Sequence, residues 1–272
     1  MIATLLVLLL IYVGFGTLLY VLQSRLLYFP ARTLIATPTD LGLPYTPVSL
    51  AASDGTPLSG WFVPAEHSQG VVLFCHGNGG NISYLLDVLQ QYNNLGLDTF
   101  VFDYRGYGQS AGTPSEQGTY LDVEAAWRYL TDERGFDPAS IILIGRSLGG
   151  AIAAWLAQRV TPCALVIESA FTSVPDFAAH AYRLFPVRLL SRFRYSTREY
   201  LQTATCPVLV VHSPQDEIIP FYHGQDLFAS APEPKQFLQI AGSHNDAFLL
   251  SYQKYSDGLK KFLAKYPAQR GV

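Results

Sequence analysis

The stretch ILIGRSLGGA, residues 142–151, sets Ser147 between two glycines at the point where an aliphatic run gives way to helix-forming residues. The aliphatic run predicts a buried strand, and LGGAIAAWLAQ, residues 148–158, predicts a helix. Gly145 and Gly149 remove the Cβ atoms that would collide in a tight strand-to-helix turn. The pattern G-x-S-x-G in this setting is typical of a turn that exposes a serine nucleophile. Taken alone, it also fits a glycine-rich corner where a helix packs close to a strand.

A reactive serine needs a histidine as its base and a carboxylate that orients the histidine, and both follow later predicted strands. Asp216 comes just after VLVVH (208–212), and His244 comes just after FLQI (237–240). The carboxyl ends of parallel strands meet at one edge of a sheet, so we expect the three side chains to lie there together. Their chain order, Ser, Asp, His, favours Ser147 as nucleophile, Asp216 as acid and His244 as base.

Other residues compete for the acid and base roles. Glu217 adjoins Asp216 but would point elsewhere from the same turn, so the pattern favours Asp216. His212 ends a strand and His76 opens a loop, and both fit structural histidines. The remaining histidines have no catalytic context; they are His67, His180 and His223.

An acyl-transfer site also needs two donors for a developing oxyanion. One is usually the backbone N–H of the residue after the nucleophile, here Leu148. The second is expected from HGNGGN, residues 76–81, the loop after the predicted strand VVLFC, with Asn78 as the preferred donor. This loop contains neither G-x-G-x-x-G nor G-x-x-x-x-G-K-[ST], which argues against a nucleotide site.

Short apolar runs alternate with amphipathic ones along the chain, which predicts an α/β fold with a mostly parallel eight-stranded sheet and helices on both faces. The first two strands, PVSLAA and LSGWFV, flank Asp54-Gly55 and are expected to pair antiparallel at one edge of the sheet. The other six runs are mostly continuously apolar, as in parallel strands covered on both faces. They are VVLFC (71–75), TFVF (99–102), IILIG (141–145), ALVIE (164–168), VLVVH (208–212) and FLQI (237–240).

The connection between the fourth and fifth of these runs, about residues 171–205, is long enough for a small helical cap. Five arginines alternate with apolar residues there; they are Arg183, Arg188, Arg192, Arg194 and Arg198. One interpretation is a cap that packs its apolar residues on the domain and solvates its arginines. The other is an interfacial segment that holds the mouth of the site near anionic lipid. The short length of the run and its proline favour the first interpretation.

Ile2 to Leu22 contains no charged residue and is long enough, at about 1.5 Å per residue, to cross a hydrocarbon core. The sequence therefore predicts an N-terminal transmembrane anchor over residues 1–22, a connector over 23–45 and the α/β domain over 46–272. A cleaved signal peptide is the main alternative, but no cation precedes the run and no A-x-A-like site follows it. Arg25 and Arg32 lie after the run, which favours a single-pass protein with its domain on the cytoplasmic side.

The composition narrows the classes of function. The 272 residues carry 18 Lys and Arg against 21 Asp and Glu, a formal charge of −3, so no general attraction to nucleic acid is expected. Cys75, Cys163 and Cys206 form no C-x-x-C pair, which argues against a disulfide framework and a zinc site. We expect no cofactor and no metal, and the sequence leaves the oligomeric state open.

Several segments together resemble the α/β-hydrolase superfamily, and within it the membrane-anchored group often called alpha/beta hydrolase domain-containing or serine-aminopeptidase-like hydrolases. The matching segments are HGNGGN, DYRGYGQSAGTPSEQG (103–118), GRSLGG, ESAFTS (168–173), the Asp216 turn and GSHND. The likeness covers nearly the whole chain after Gln23. It implies Ser147, Asp216 and His244 as the triad and Asn78 and Leu148 as oxyanion donors. It also implies that Asp103, Arg105 and Tyr107 organise a loop.

One departure from the family pattern is visible. The strand before the acid commonly ends in His-Gly in such proteins, whereas Ser213 and Pro214 follow His212 in this chain. The change could tilt the loop that carries the acid, but it removes no catalytic group.

These observations predict a membrane-anchored serine hydrolase that cleaves a carboxylic ester or related acyl substrate, small or lipid-like, with a lipid or a thioester among the candidates. An aminopeptidase or amidase with the same triad is the first alternative. The second is a catalytically silent, membrane-tethered binding protein, against which an intact triad argues. No nucleic-acid partner is expected.

Overall fold

The central sheet has eight strands in a computed structural model that describes residues 1–267. The strands are β1 Thr46–Ala51, β2 Pro57–Val63, β3 Val71–Cys75, β4 Asp98–Phe102, β5 Ile141–Arg146, β6 Ala164–Glu168, β7 Val208–His212 and β8 Lys235–Gln239. Their order across the sheet is β1-β2-β4-β3-β5-β6-β7-β8. The pairs β1–β2 and β2–β4 are antiparallel and all other pairs are parallel. The predicted α/β fold with a mostly parallel sheet is confirmed.

Burial explains why the strands in the middle of the sheet are continuously apolar in sequence. Every residue of β3 and β4 is buried, since helices cover both faces of the middle of the sheet. Each edge strand is more exposed, and β8 has no fully buried residue. Because β8 lacks a strong apolar run, its limits were the least well predicted: the strand covers 235–239 rather than 237–240.

Ten α-helices surround or extend from the sheet in the part of the chain that the structure describes. They are α1 Ile2–Leu27, α2 Leu86–Asn94, α3 Glu116–Arg128, α4 Leu148–Ala157, α5 Val174–Ala181, α6 Val187–Leu190, α7 Thr197–Leu201, α8 Phe221–Ser230, α9 Ala247–Leu250 and α10 Tyr252–Lys265. Buried side chains of α3, α4 and α8 pack in one apolar cluster, and those of α2 and α10 pack in another. The alternating residues Val71, Val72 and Leu73 of β3 divide between the two clusters, so these lie on opposite faces of the sheet.

Helix α1 is exposed along most of its length, and it is long and apolar enough to cross a membrane. The helix continues to Leu27, beyond the expected end of the anchor at residue 22. Leu27 and Tyr28 are buried in the domain. Directly afterwards, Phe29–Pro30 forms a short parallel pair with Gly79–Gly80. The expected connector therefore begins inside a helix and is joined to the glycine-rich loop.

Residues 171–205, which we call the cap, contain α5, α6 and α7. Leu201 of α7 is fully buried in the domain, whereas α6 has no buried residue. The projecting part of the cap is therefore the stretch around α5 and α6. The end of the expected domain, residues 268–272, lies outside the described residues.

Candidate active site

The turn between β5 and α4 holds Ser147 in an unusual backbone conformation. Its φ is +55° and its ψ is −118°, a region that non-glycine residues rarely adopt. The backbone N–H of Ser147 donates to the carbonyl of Glu168 at 2.8 Å, and the Ser147 carbonyl accepts from Gly150 N–H at 3.0 Å. Ser147 is 9% exposed. Such strain persists only where the surroundings impose it, and it is common at functional sites.

The flanking glycines are required by contact distances. A Cβ atom at Gly145 would lie 2.2 Å from the carbonyl oxygen of Gly149. A Cβ atom at Gly149 would lie 2.0 Å from the carbonyl oxygen of Cys75, at the end of β3. The first contact lies within the turn, as the sequence pattern suggested, and the second joins the turn to the neighbouring strand. The second close approach holds the Ser147 turn against the end of β3 and the loop that follows it.

That loop, residues 76–81, is called the glycine loop below. A Cβ atom at Gly77 would lie 3.7 Å from Cβ of Ser147, so the loop runs beside the serine. The backbone N–H groups of Asn78 and Leu148 donate no hydrogen bond to any of residues 1–267. Two unengaged N–H donors next to a serine hydroxyl are what an oxyanion site requires.

The side-chain nitrogen and the backbone carbonyl of Asn78 are occupied. Its side-chain Nδ2 donates to the carbonyl of Leu27 at 2.9 Å. Its carbonyl accepts from Phe29 N–H at 2.9 Å and from the Tyr107 hydroxyl at 2.8 Å. The backbone N–H of Asn78 is left as a donor for a ligand. Sequence reasoning missed that the end of α1 holds this loop, because Leu27 and Asn78 are far apart in the chain.

The loop after β4 supports the glycine loop from the other side. Asp103 Oδ1 accepts from Ile82 N–H at 3.0 Å, and the Tyr104 hydroxyl donates to the carbonyl of His76 at 3.0 Å. Burial raises the pKa of Asp103 to about 7 and lowers the pKa of His76 to about 4. His76 is therefore neutral near pH 7, with Nδ1 2.7 Å from the carbonyl of Gly77, as expected of a structural histidine.

Asp216 and His244 come together in the loops after β7 and β8. His244 Nδ1 lies 2.7 Å from Asp216 Oδ2, and the Asp216 side chain is fully buried. The other carboxylate oxygen of Asp216 accepts from Ile218 N–H at 3.0 Å and from Ile219 N–H at 2.7 Å. With the carboxylate accepting, the proton sits on Nδ1 of His244, and Nε2 is left as the basic nitrogen.

The competing residues have other partners. Glu217 Oε2 accepts from the backbone N–H of His244 at 3.0 Å, so it holds the histidine loop while Asp216 holds the ring. His212 Nε2 lies 2.9 Å from the carbonyl of Ile219, and burial lowers the pKa of His212. His223 Nδ1 lies 2.9 Å from the Thr172 hydroxyl, and burial lowers its pKa to about 4. His212 Nε2 also lies 3.6 Å from Asp216 Oδ2, beyond hydrogen-bond distance, so among the histidines of residues 1–267 only His244 is hydrogen-bonded to Asp216.

The departure at Ser213 has a structural use. The Ser213 hydroxyl donates to the carbonyl of Gly242 in the loop that carries His244. The Gln215 side-chain oxygen accepts from Gly242 N–H at 3.3 Å. The turn that carries the acid and the loop that carries the histidine are therefore joined directly. A serine at this position supplies a hydroxyl for that link, which a glycine could not.

Among residues 1–267, no hydrogen bond joins the Ser147 hydroxyl to His244. The two parts of the site are linked instead through Arg146. Its Nε donates to Glu168 Oε2 at 2.9 Å, and its guanidinium lies 3.7 Å from the ring centre of Phe248, in the helix after His244. Glu168 is fully buried and is paired with Arg146 across the sheet. Sequence reasoning overlooked this pair, although a charged residue that ends an apolar strand is a readable signal.

No group of three or more His, Cys, Asp or Glu side chains within residues 1–267 is arranged to hold a metal ion. The chemistry available to the described site comes from a serine hydroxyl, an imidazole bound to a carboxylate, and two backbone N–H groups.

Known proteins resemble this chain in sequence and in fold. Residues 70–170 match the family model described as alpha/beta hydrolase fold. An uncharacterized protein of Mycobacterium tuberculosis is 36% identical over 93% of this chain and 91% of its own length. An alpha/beta hydrolase domain-containing protein of Arabidopsis thaliana is 30% identical over 96% of each chain. An uncharacterized membrane protein of Saccharomyces cerevisiae is 32% identical over 90% of each chain.

Solved structures extend the comparison. An esterase of Pyrococcus furiosus superimposes with a TM-score of 0.73 over 89% of this chain and 98% of its own, at 20% sequence identity. At this identity the likeness concerns the fold alone.

Proposed function

Because the chain belongs to the α/β-hydrolase family, we propose that it is a serine hydrolase that cleaves a carboxylic ester or related acyl substrate through Ser147. The observation that carries the proposal is the hydrogen bond between Asp216 and His244, in loops at the same sheet edge as the strained Ser147 turn. The esterase name of a structural neighbour supports the choice of substrate class.

The site groups would act in two half-reactions. Ser147 Oγ attacks the acyl carbonyl carbon while His244 Nε2 takes the hydroxyl proton. The tetrahedral oxyanion accepts from the N–H groups of Leu148 and Asn78. The intermediate collapses as His244 returns the proton to the leaving alcohol, which leaves an acyl-enzyme. Water activated by His244 then attacks the acyl-enzyme, releasing the acid and restoring Ser147.

Asp216 acts through His244. Its carboxylate fixes the tautomer with Nε2 free and stabilises the imidazolium that forms when the proton arrives. Glu217 and Arg146 are positioning residues in this scheme, since they hold the backbone of His244 and the helix after it.

We further propose that α1 anchors the enzyme in a membrane, as a single-pass helix with the hydrolase domain on the cytoplasmic side. The apolar, exposed length of α1 supports the anchor, and so does the name of the yeast relative. Arg25 and Arg32 after the apolar run support the side. Protease protection tests the side of the membrane in sealed vesicles whose cytoplasmic face points outward. We expect protease to digest the domain in the intact vesicles. A domain that is digested only after the vesicles are opened would contradict the cytoplasmic side.

The function is tested by hydrolysis of p-nitrophenyl acetate and butyrate against aminoacyl p-nitroanilides, with the full chain in detergent micelles. We expect ester turnover that falls about 10⁴-fold or more in Ser147→Ala. Ser169→Ala is the matched control, because the Ser169 hydroxyl is buried and has no hydrogen-bond partner among residues 1–267. Equal turnover in Ser147→Ala and wild type would contradict the proposal. A preference for the anilides would point to an aminopeptidase.

A further inference from the structure

An apolar groove of about 280 Å³ lies between the second half of α1 and the cap helices α5 and α6. One wall is α1 from Gly16 to Leu27, a length of about 16 Å. The opposite wall includes Phe177, Ala178 and Ala181 of α5. The groove is separate from the loops that carry Asp216 and His244, and nothing in the mechanism above uses it.

The outer end of the groove lies along the apolar run of α1. The Tyr12 ring stacks on Phe185 of the cap with ring centres 4.7 Å apart, and the Tyr12 hydroxyl donates to the carbonyl of Leu184 at 2.7 Å. If α1 crosses a membrane, these contacts bring the apolar tip of the cap beside lipid. Leu184 and Leu189 fit that position, since they are 82% and 84% exposed.

The inner end of the groove, at Leu27, is one hydrogen bond away from the glycine loop. Leu27 lines the groove, and its carbonyl accepts from the side chain of Asn78, whose backbone N–H is the proposed oxyanion donor. The next residues, Phe29–Pro30, pair with Gly79–Gly80 of the glycine loop. A chain lying in the groove therefore has one end beside lipid and the other beside the loop that flanks Ser147.

We propose that this groove binds the acyl chain of a membrane lipid, which enters from the leaflet next to the domain and brings its acyl carbonyl to Ser147. The hydrolysis of the bound lipid rests on the proposed function, whereas the binding of its acyl chain in the groove does not. Apolar walls suit an alkyl chain, because an alkyl chain leaves no polar group without a hydrogen-bond partner there. The occupant comes from the bilayer because the wall of the groove continues without a break into the proposed transmembrane helix.

Two pairs of variants test the groove from its two walls. Gly16→Leu fills it from α1, because a Cβ atom at Gly16 already lies 3.4 Å from the Phe185 ring. Gly14→Leu is its control, since nothing lies within 4 Å of a Cβ atom at Gly14. Ala178→Trp fills the groove from α5, and Ala179→Trp is its control, because Ala179 faces a different surface.

The binding measurement uses the full chain in phosphatidylcholine nanodiscs that contain a palmitoyl phosphatidylcholine with a diazirine at the end of its acyl chain. After irradiation, labelled residues are mapped by mass spectrometry. We expect saturable labelling of the groove walls that falls about tenfold or more in Gly16→Leu and Ala178→Trp and is unchanged in both controls. Labelling restricted to residues 2–11 of α1, or reduced equally in variants and controls, would overturn the proposal.

Hydrolysis separates this proposal from the proposed function. In the groove variants, kcat/KM for a p-nitrophenyl palmitate should fall about tenfold or more, while acetate turnover stays at the wild-type level and shows that the fold is intact. If the groove variants still hydrolyse acetate but lose the same fraction of kcat/KM for acetate and for palmitate, the groove proposal is overturned. Saturable groove labelling in a protein that hydrolyses no ester would support the groove and contradict the proposed function.

Discussion

The loops around Ser147 and the cap beside α1 are held by different interactions. At the first region, which we call the serine edge, the glycines meet backbone atoms at distances that no other residue could tolerate. The side chains of Asp216 and Glu168 there are fully buried and paired. At the cap, most residues of α5 and α6 are exposed or half-buried.

The hydrogen bonds between the cap and α1 lie on an exposed surface. Gln23 Nε2 donates to the carbonyl of Leu190 at 2.9 Å, and Gln23 Oε1 accepts from Arg192 N–H at 2.7 Å. Arg188 pairs with Asp176 at 3.2 Å, but its side chain is 71% exposed. The comparison teaches that reaction geometry is built into the domain core. The groove that we propose for the substrate is formed by a surface that can change without loss of the core.

The largest effect is expected where the serine edge depends on one carboxylate. Asp216→Asn keeps the shape but reverses the hydrogen bond that fixes the His244 tautomer, so kcat for ester hydrolysis should fall about 10⁴-fold. Glu217→Gln should lower kcat about tenfold or less, because Glu217 contacts only the backbone of His244. Steady-state kinetics on both variants checks this. A larger loss in Glu217→Gln than in Asp216→Asn would show that the acid role has been assigned to the wrong residue.

Much of the serine edge could be predicted from the sequence because local patterns determine it. Continuous apolar runs mark β3, β5, β6 and β7, and two glycines mark the turn at Ser147. Contacts between distant segments that no motif marks could not be predicted, since no periodicity reports them. The ties from Asn78 to Leu27 and from Gln23 to Leu190 are of this kind. Glu217 was read as a rival of Asp216 because sequence order alone does not show that it holds the His244 backbone.

The serine edge and the cap can also be compared in stability, since one holds a buried ion pair and the other an exposed one. Arg146→Met leaves the carboxylate of Glu168 buried without its cation, which should cost about 3–5 kcal/mol of unfolding free energy. Arg188→Met removes an exposed pair in the cap and should cost about 1 kcal/mol or less. Urea unfolding in detergent measures both. The double variant Arg146→Met/Glu168→Gln should recover part of the loss, and failure to recover any would contradict the pairing.

The pH dependence of stability tests burial at the serine edge. Burial raises the folded-state pKa of Asp103 to about 7, while an unfolded aspartate titrates near about 3.9. The folded state therefore binds more protons between about pH 4 and 7, and the contribution of Asp103 to stability falls as pH rises through that window. Because Asn does not titrate, the melting temperature of Asp103→Asn should rise relative to that of wild type between about pH 4 and 7. If the melting temperatures of the two proteins change with pH in parallel, the raised pKa of Asp103 is contradicted.

The smallest effect is expected at the tie between α1 and the cap. Gln23→Ala removes two hydrogen bonds on an exposed surface, each contributing only about 0.5 kcal/mol because water can replace it. Hydrogen exchange of α6 should become faster, while acetate hydrolysis should keep the wild-type rate. Gln253→Ala, which removes an exposed contact to Asp257, serves as the control. A loss of acetate hydrolysis in Gln23→Ala would show that the two regions are not separable.

The central claim, that Ser147 is the nucleophile of the serine edge, is tested most directly by mapping a covalent adduct. The full chain is treated with a fluorophosphonate, digested, and analysed by mass spectrometry, beside Ser147→Ala and His244→Ala. We predict one adduct, on Ser147, which is absent in Ser147→Ala and forms at least about 10³-fold more slowly in His244→Ala. An unlabelled wild-type protein, or an adduct on another serine, would contradict the account.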